Sequence, residues 1–274
     1  MKSKNRENSK RKHGALLLIL IQLLLLCPGC GRQELPQAVQ SEEGNGQTAD
    51  GSVSPALPPE DTAVQLLAKA PLLDWEDPET ENLAGMLQEI CGGMMVQLTA
   101  GQYVGSGVIY GAEESSLVIV TAAHVLTDAA DGAQVTFVDG WETKAEEFSV
   151  SELADLAIVR IPFTEIPQDR LEKYLLANVD KSSYDNLQAG DGCIVMGSRS
   201  GVAEDAYEGT VLESWIYMED YGQYMIWVKA AGKPGMSGGG LFDRRGHLMG
   251  ILSGRSEDGE WAVVPLALVL AQNF

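Results

Sequence analysis

Two successive groups of short β-type segments follow residue 92 and constrain the fold more than any other feature of the chain. Each segment is rich in β-branched and aromatic residues, and Gly, Asp or Asn separates it from the next. A polar interval with two prolines, residues 162–190, divides the two groups. The first group contains MMVQLT, YVGSGVIY, SLVIVT, AQVTFVD, ETKAEEFSV and DLAIVRI, and the second contains GCIVMGS, EGTVLESWI, QYMIWVKA, GGLFD, HLMGILS and EWAVV. The pattern predicts an all-β protein of two six-stranded antiparallel barrels, over about 92–162 and 190–265.

Short helices are expected on both sides of this β-rich region. Residues 62–75 and 80–90 precede it and read as two short helices. Residues 265–274 follow it, and their apolar side chains at near-helical spacing predict a closing helix.

The first 30 residues have the layout of a secretory signal. A basic stretch precedes an apolar run from Ala15 to Leu26, which is shorter than the roughly 20 residues that a spanning helix needs. Gly29 followed by Cys30 resembles the cleavage site of bacterial lipoproteins, at which the cysteine is lipidated. We therefore expect a lipid anchor at Cys30, with a plain signal peptide or a signal anchor as the alternatives.

The segment that follows the signal is predicted to be a disordered acidic tether with a possible short helix, residues 31–80. Its first half holds Gly, Pro, Ser, Gln and acidic residues with almost no large apolar side chain. The whole chain has a formal net charge of −20, and removal of the basic signal makes the remainder more acidic still. Such a charge disfavours phosphate backbones, so nucleic acid is not expected as a partner.

Metal and cofactor sites are not expected. The chain has three histidines, and the two cysteines outside the predicted signal are far apart, so the spacing of a zinc site is absent. Cys91 and Cys193 are the only cysteines after the signal, and two cysteines leave open whether they form a disulfide.

The segment GKPGMSGGG, residues 232–240, surrounds one serine with five glycines. Glycine destabilises ordered segments, so such a cluster indicates a loose linker or a tight turn that presents the Ser237 hydroxyl. A serine nucleophile needs a histidine base. His13 lies in the signal and His247 just after a hairpin turn, which leaves His124, directly behind the segment SLVIVT.

The acid that orients such a histidine has to be buried. Asp155 heads the most apolar segment of the first group, where an unpaired carboxylate is costly and His124 is a suitable partner. An alternative role for Asp155 is to cap local backbone groups. The order His124, Asp155, Ser237 excludes the α/β-hydrolase arrangement, in which the histidine comes last.

The segments GSGVIY, VTAAHVL, DLAIVRI, GCIVMGSRSG, GTVLES and GKPGMSGGGLFD resemble the chymotrypsin-fold, trypsin-like serine proteases, and most of all their bacterial HtrA/Deg branch. The resemblance covers about residues 85–270. It implies that residues 81–274 form a protease domain with His124 as base, Asp155 as its orienting acid and Ser237 as nucleophile. It also implies an oxyanion hole formed by the backbone N–H groups of Gly235 and Ser237.

The resemblance also implies a substrate pocket. Ala231 would lie at its base, Trp261 would narrow it or simply pack in the core, and Gly254 would border an extended substrate. Ser253 would lie beside the triad and hydrogen-bond Asp155. With nothing at Ala231 to pair with Lys or Arg, we expect cleavage after small aliphatic residues.

Three departures from the HtrA/Deg pattern stand out. Met236 replaces a polar residue before the serine, Gly240 replaces a proline, and the chain stops where the branch usually has a peptide-binding PDZ domain. The resemblance still predicts an extracytoplasmic serine endopeptidase on the outer face of the bacterial cytoplasmic membrane. Its expected partners are peptides or unfolded protein, with a homo-oligomer possible, and the alternative is an idle protease-like module that binds peptides without cutting.

Overall fold

The computed structural model of the protein describes residues 61–74, 82–151, 153–198 and 204–271. The predicted signal, Cys30 and the predicted tether up to residue 60 lie outside these residues. Helices and strands are numbered in chain order. Before the β-rich region come α1 (Asp61–Leu66), β1 (Ala68–Lys69) and α2 (Leu83–Cys91). Among the described residues, none of the helices is both long and apolar enough to cross a bilayer.

The first group of strands forms one curled antiparallel sheet of seven strands in the order β6-β5-β2-β3-β4-β8-β7. Their bounds are β2 Met95–Ala100, β3 Tyr103–Ala112, β4 Ser116–Thr121, β5 Ala133–Phe137, β6 Glu142–Ala145, β7 Glu147–Val150 and β8 Ala157–Pro162. The sequence predicted six strands because ETKAEEFSV reads as one. The chain divides that segment at Glu146, where β6 pairs with β5 and β7 pairs with β8. The sheet is therefore curled but not closed by a continuous ladder.

The second group forms the predicted six-stranded closed barrel, with strand order β10-β11-β12-β15-β14-β13. Its strands are β10 Gly192–Ser198, β11 Glu204–Met218, β12 Gln223–Ala230, β13 Gly240–Asp243, β14 Leu248–Arg255 and β15 Glu260–Pro265. Valine, isoleucine and leucine side chains of these strands fill its interior, together with Met236 and Trp261. The double β architecture expected from the sequence is thus confirmed.

The interval between the two groups holds α3 (Gln168–Leu171), β9 (Leu175–Leu176) and α4 (Lys181–Asp185). The helix predicted over 62–75 ends at Leu66, because β1 pairs in parallel with β9 and the residue before Pro71 is disfavoured in a helix. The predicted closing helix is present as α5 (Leu266–Leu270).

Cys91 and Cys193 do not form a disulfide with each other. Cys91 is the last residue of α2 and is buried in the core that this helix shares with the barrel, where its Sγ donates to the carbonyl of Pro71 at 3.7 Å. Cys193 is buried inside the barrel, and burial raises the pKa of its thiol to about 12.

Candidate active site

His124 lies at the rim of the first sheet, in a single 3₁₀ turn (Ala123–Leu126) directly after β4. The small, fully buried Ala122 allows the tight turn, and its carbonyl accepts the N–H of Val125 at 3.1 Å. The hydroxyl of Thr127 donates to the His124 carbonyl at 2.7 Å and holds the turn. The imidazole is partly exposed, so its ring is accessible to a bound molecule.

Asp155 stands just before β8 and binds His124 through both carboxylate oxygens. Its Oδ2 lies 2.8 Å from His124 Nδ1, and its Oδ1 accepts the backbone N–H of His124 at 3.0 Å. The hydroxyl of Ser253 also donates to Oδ2. Burial alone would raise the pKa of Asp155, but the hydrogen bonds from His124 and Ser253 outweigh burial and hold the pKa below its ordinary value.

The bond to Asp155 also determines the state of the histidine ring. A carboxylate only accepts hydrogen bonds, so Nδ1 carries the proton that it shares with Asp155. In the neutral imidazole, Nε2 then keeps its lone pair and is available as a base.

Ser237 lies in the connection between β12 and β13, residues 231–239, which joins strands that are not neighbours in the barrel. The Ser237 carbonyl accepts the N–H of Ser106 at 2.7 Å, and the Gly238 N–H donates to Leu252 at 2.7 Å. The Ser237 hydroxyl donates to the backbone carbonyl of Ser253 at 2.9 Å. In the part of the chain that the structure describes, no hydrogen bond joins the Ser237 hydroxyl to His124.

Two glycines around Ser237 explain the glycine cluster. Gly238 has φ +84°, and a Cβ there would lie 2.1 Å from the carbonyl oxygen of Ser106. Gly235 has φ +91°, a left-handed conformation that side chains disfavour. Across the described ranges, no hydrogen bond from the N–H groups of Gly235 and Ser237 to another protein group is formed. These two donors are therefore available for an external acceptor.

Met236 and Gly240 have structural roles in the barrel. The Met236 side chain is fully buried in its core, and the Met236 sulfur accepts the N–H of Lys233 at 3.3 Å. A side chain at Gly240 would meet the ring of Phe242, with its Cβ 2.4 Å from that ring. Gly240 pairs with strands on both sides, β10 and β14.

The four residues predicted for the substrate pocket fall into two pairs. Ser253 and Gly254 are consecutive on β14 beside Ser237, and Ser253 is the extra residue of a β-bulge between Leu252 and Gly254. Ala231 and Trp261 lie together, with Trp261 Nε1 donating to the Ala231 carbonyl at 3.4 Å.

Ser106 is a residue of the site that the functional reasoning from sequence missed, although it lies in the quoted segment GSGVIY. Its hydroxyl accepts the N–H of Ser198 at 2.9 Å and donates to the carbonyl of Gly235 at 2.8 Å. Its own carbonyl accepts the hydroxyl of Thr121 at 2.7 Å. Ser106 therefore joins the first sheet to the loop that carries Ser237, and the resemblance gave no signal for this role.

The described residues contain no group of three or more His, Cys, Asp or Glu side chains placed to hold a metal ion. The groups present are a basic imidazole, its carboxylate partner, a serine hydroxyl and two unengaged backbone donors. Groups of these kinds can together transfer an acyl group to a hydroxyl.

Comparison of the sequence with known proteins identifies related proteins. A putative serine protease HhoB from Synechocystis sp. is 25% identical over 177 residues, which cover 63% of this chain and 39% of the relative. A serine protease HtrA-like protein from Staphylococcus aureus is 26% identical over 166 residues, 56% of this chain and 20% of the relative. The chain thus spans well under half the length of these relatives.

The fold has counterparts among solved structures. The crystal structure of the serine endoprotease from Yersinia pestis superposes with a TM-score of 0.50 at 23% identity, over 65% of this chain and 61% of that one. The trypsin-like peptidase domain family matches residues 105–251, more than half of the chain, and this match spans His124, Asp155 and Ser237. The chain therefore belongs to the trypsin-like peptidase family, with serine proteases of the HtrA type among its relatives.

Proposed function

We propose that this chain hydrolyses peptide bonds through an acyl-enzyme, with His124 as base, Asp155 as its orienting acid and Ser237 as nucleophile. The observation that carries the proposal is the double hydrogen bond between Asp155 and His124. It fixes the ring orientation and the tautomer, so that the lone pair of Nε2 is available to take a proton.

The first step transfers the Ser237 hydroxyl proton to His124 Nε2 while Oγ forms a bond to the substrate carbonyl carbon. The carbonyl oxygen becomes an oxyanion, and the N–H groups of Gly235 and Ser237 are the available donors to it. Each such donor is worth about 3–4 kcal/mol in the transition state. The imidazolium then protonates the leaving amine, and the C–N bond breaks to give the acyl-enzyme.

The second step repeats this chemistry with water. His124 takes a proton from water, the resulting hydroxide adds to the acyl carbon, and the imidazolium returns the proton to Ser237 Oγ as the ester bond breaks. The products are a carboxylic acid and the free enzyme. Asp155 stays ionised throughout, which agrees with its lowered pKa.

The hydroxyl of Ser237 has to change partner for this reaction. It donates to the Ser253 carbonyl in this structure, and rotation about its χ1 angle moves it to another staggered position. We infer that a bound substrate makes this change favourable, because the backbone N–H of the residue before the scissile bond takes over the Ser253 carbonyl.

The pocket supports a preference for small aliphatic residues before the scissile bond. The Trp261 ring reaches the backbone wall of the pocket, where a Cβ on Gly232 would lie 2.4 Å from the ring. The side chain of Ala231 is a methyl group and offers no charge to a basic residue.

We also propose that the protein works outside the cytoplasm, on the outer face of the bacterial membrane, on secreted or misfolded protein. The support is the sequence of residues 1–30, with a basic start, a short apolar run and Gly29 before Cys30. Metabolic labelling with a palmitate analogue, beside Cys30→Ser, tests the anchor. Loss of lipid from the variant is expected, and an unlipidated wild-type protein would contradict it.

The experiment that tests the activity is covalent labelling of the purified chain with a fluorophosphonate probe, beside Ser237→Ala and His124→Ala. Labelling confined to the unmutated protein is expected, because only that protein has both nucleophile and base. Peptide substrates that vary the residue before the scissile bond then test the pocket, with Ala and Val expected above Phe, Lys and Arg.

An idle module that binds peptides without cutting is the second candidate. It is favoured by one observation, that the Ser237 hydroxyl bonds the Ser253 carbonyl and not His124. A folded protein that binds peptides but takes no fluorophosphonate label would establish this candidate and end the peptidase proposal.

A further inference from the structure

Tyr221 lies in the turn between β11 and β12, residues 219–222, and reaches across to β14. The turn is held by the N–H groups of Tyr221 and Gly222, which donate to the Met218 carbonyl at 3.1 and 3.0 Å. The Tyr221 hydroxyl oxygen lies 2.1 Å from the point that a Cβ on Gly254 would occupy, and the ring carbon that bears it lies 3.4 Å away. The phenol therefore fills the space that a side chain on Gly254 would fill.

The Tyr221 hydroxyl is also connected to the candidate active site. It lies against Gly254, which directly follows Ser253, and the Ser253 hydroxyl donates to Asp155. Burial raises the pKa of Tyr221, and the charge of Asp155 acts in the same direction, so the phenol keeps its proton at neutral pH.

The position of a substrate along β14 follows from the proposed chemistry. When Ser237 attacks the scissile carbonyl, the N–H of the residue before the scissile bond lies next to the Ser253 carbonyl. An extended peptide that continues along Ser253–Arg255 adds as an antiparallel strand. The second residue before the scissile bond then lies opposite Gly254.

Opposite residues of an antiparallel pair share one face of the sheet, with Cβ atoms about 4.5–5.5 Å apart. The side chain of the second substrate residue therefore points to the face of β14 on which the Tyr221 phenol lies. A large side chain there meets the phenol, whereas glycine or alanine leaves it in place.

We propose that Tyr221 determines specificity for the second residue before the scissile bond, admitting small side chains and rejecting large ones. This inference rests on the proposed peptidase function. It assigns selectivity to a turn that holds none of the proposed catalytic residues, and the absence of a side chain at Gly254 makes room for the phenol.

The experiment measures kcat/KM for peptides with alanine before the scissile bond and Gly, Ala, Leu or Phe at the second position. For the unmutated chain we expect Ala to exceed Phe by about tenfold or more, the scale of discrimination by pocket volume. Tyr221→Ala is expected to reduce this ratio to less than about threefold. Tyr221→Phe keeps the ring and is expected to keep the ratio.

Tyr217→Ala is the matched control, because Tyr217 is an exposed tyrosine of the same ribbon that stacks edge-on against Tyr224 and not against β14. It is expected to leave the Ala to Phe ratio unchanged. An unchanged ratio in Tyr221→Ala would overturn the inference, as would an equal change in Tyr217→Ala.

Binding separates this inference from the proposed function. In the Ser237→Ala background, anisotropy of labelled peptides reports affinity without hydrolysis, and Tyr221→Ala is expected to improve binding of the Phe peptide relative to the Ala peptide. Selective binding without fluorophosphonate labelling of the unmutated chain would support the role of Tyr221 and end the peptidase proposal. Fluorophosphonate labelling of the unmutated chain, together with a binding ratio that Tyr221→Ala leaves unchanged, would support the peptidase proposal and overturn the role of Tyr221.

Discussion

The first sheet and the second barrel bring their parts of the site together in different ways. In the first sheet, β4 and β8 are paired neighbours, and Thr121 lies opposite Ala157 in their ladder. His124 follows the end of β4 by three residues, and Asp155 precedes the start of β8 by two, so one strand register sets their separation. In the second barrel, Ser237 lies on a nine-residue connection, 231–239, between strands that do not pair with each other.

The difference teaches that the base is placed by the register of one strand pair, and the nucleophile by contacts that one loop makes with both regions. His124 and Asp155 are already bonded in the arrangement that the proposed reaction needs. The Ser237 loop is held by Ser106 from the first sheet and by β14 from its own barrel, and its hydroxyl points to Ser253. Substitutions in the two regions are therefore expected to fail differently.

The largest expected effect is on catalysis in the first sheet. Asp155→Asn keeps the size of the side chain but favours the wrong tautomer of His124, so we expect kcat to fall about 10⁴-fold with little change in fold. Peptide hydrolysis measures kcat, and circular dichroism reports whether the fold is retained.

Asp139→Asn is the matched control for Asp155→Asn. Asp139 is a carboxylate of the same sheet that is paired with Arg170 at 2.6 Å, away from His124. Its substitution is expected to leave peptide hydrolysis within about twofold of the unmutated protein, because Asp139 bonds Arg170, Lys173 and Tyr174 and takes no part in the proposed chemistry. Equal losses of activity in the two variants would contradict the assignment of Asp155.

The second effect is on stability, at the join between the two regions. Gly238→Ala places a side chain at φ +84° and against the Ser106 carbonyl. Backbone strain and overpacking each cost about 1–3 kcal/mol, so we expect the free energy of unfolding in urea to fall by about 2–6 kcal/mol.

Gly222→Ala separates the two causes of that loss. Gly222 also has a positive φ, +64°, but a Cβ there meets nothing within 4 Å. It is expected to lose about 1–3 kcal/mol from strain alone. A loss in Gly238→Ala no greater than that in Gly222→Ala would show that the contact with Ser106 is unimportant.

The sequence predicted most of the fold because each strand has a recognisable local sequence pattern. The positions of the strands in both groups follow from β-branched runs and the turns between them, and the second barrel has the six strands expected. The division of ETKAEEFSV at Glu146 was missed, because pairing of its two parts with different strands is decided by the curl of the sheet. No local signal marks that choice.

The order of His124, Asp155 and Ser237 along the chain was enough to name the candidate triad, and the structure brings His124 and Asp155 into contact. The roles of Ser106 and Tyr221 were beyond sequence reasoning. Both act through contacts across more than thirty positions of the chain, Ser106 with Gly235 and Tyr221 with Gly254. A serine in a strand and a tyrosine in a turn are common, so neither residue type points to such a contact.

A smaller effect is expected at Ser106 itself. Ser106→Ala leaves the buried N–H of Ser198 and the carbonyl of Gly235 without this partner, at a cost of about 1–3 kcal/mol. Because Gly235 is a proposed oxyanion donor, we expect kcat to fall along with stability. Urea unfolding and peptide hydrolysis measure both.

Ser149→Ala is the control for Ser106→Ala. Ser149 is an exposed serine whose hydroxyl accepts from Arg160 at 3.3 Å. It is expected to change stability by less than about 0.5 kcal/mol, as is usual for surface substitutions. If Ser106→Ala proved as mild as Ser149→Ala in both measurements, the connection between the two regions would not depend on this hydroxyl.

The smallest expected effect is the pH dependence of stability that comes from Asp155. Its folded pKa is depressed, so its charged form stabilises the folded state above the ordinary pKa of an aspartate, about 4. That contribution is lost as the pH falls from about 4 through the lower folded pKa. We therefore expect the stability difference between the unmutated protein and Asp155→Asn to shrink as the pH falls below about 5.

The pKa of Asp139 also makes stability depend on pH, but Asp139 has no proposed catalytic role. Burial alone would raise the pKa of Asp139, but the hydrogen bond from Trp141 and the charge of Arg170 hold the pKa below its ordinary value. The stability difference between the unmutated protein and Asp139→Asn is also expected to shrink as the pH falls. A stability difference for Asp155→Asn that grew as the pH fell below about 5 would mean that His124 and Ser253 do not stabilise the ionised carboxylate, and the preassembled base would lose its physical support.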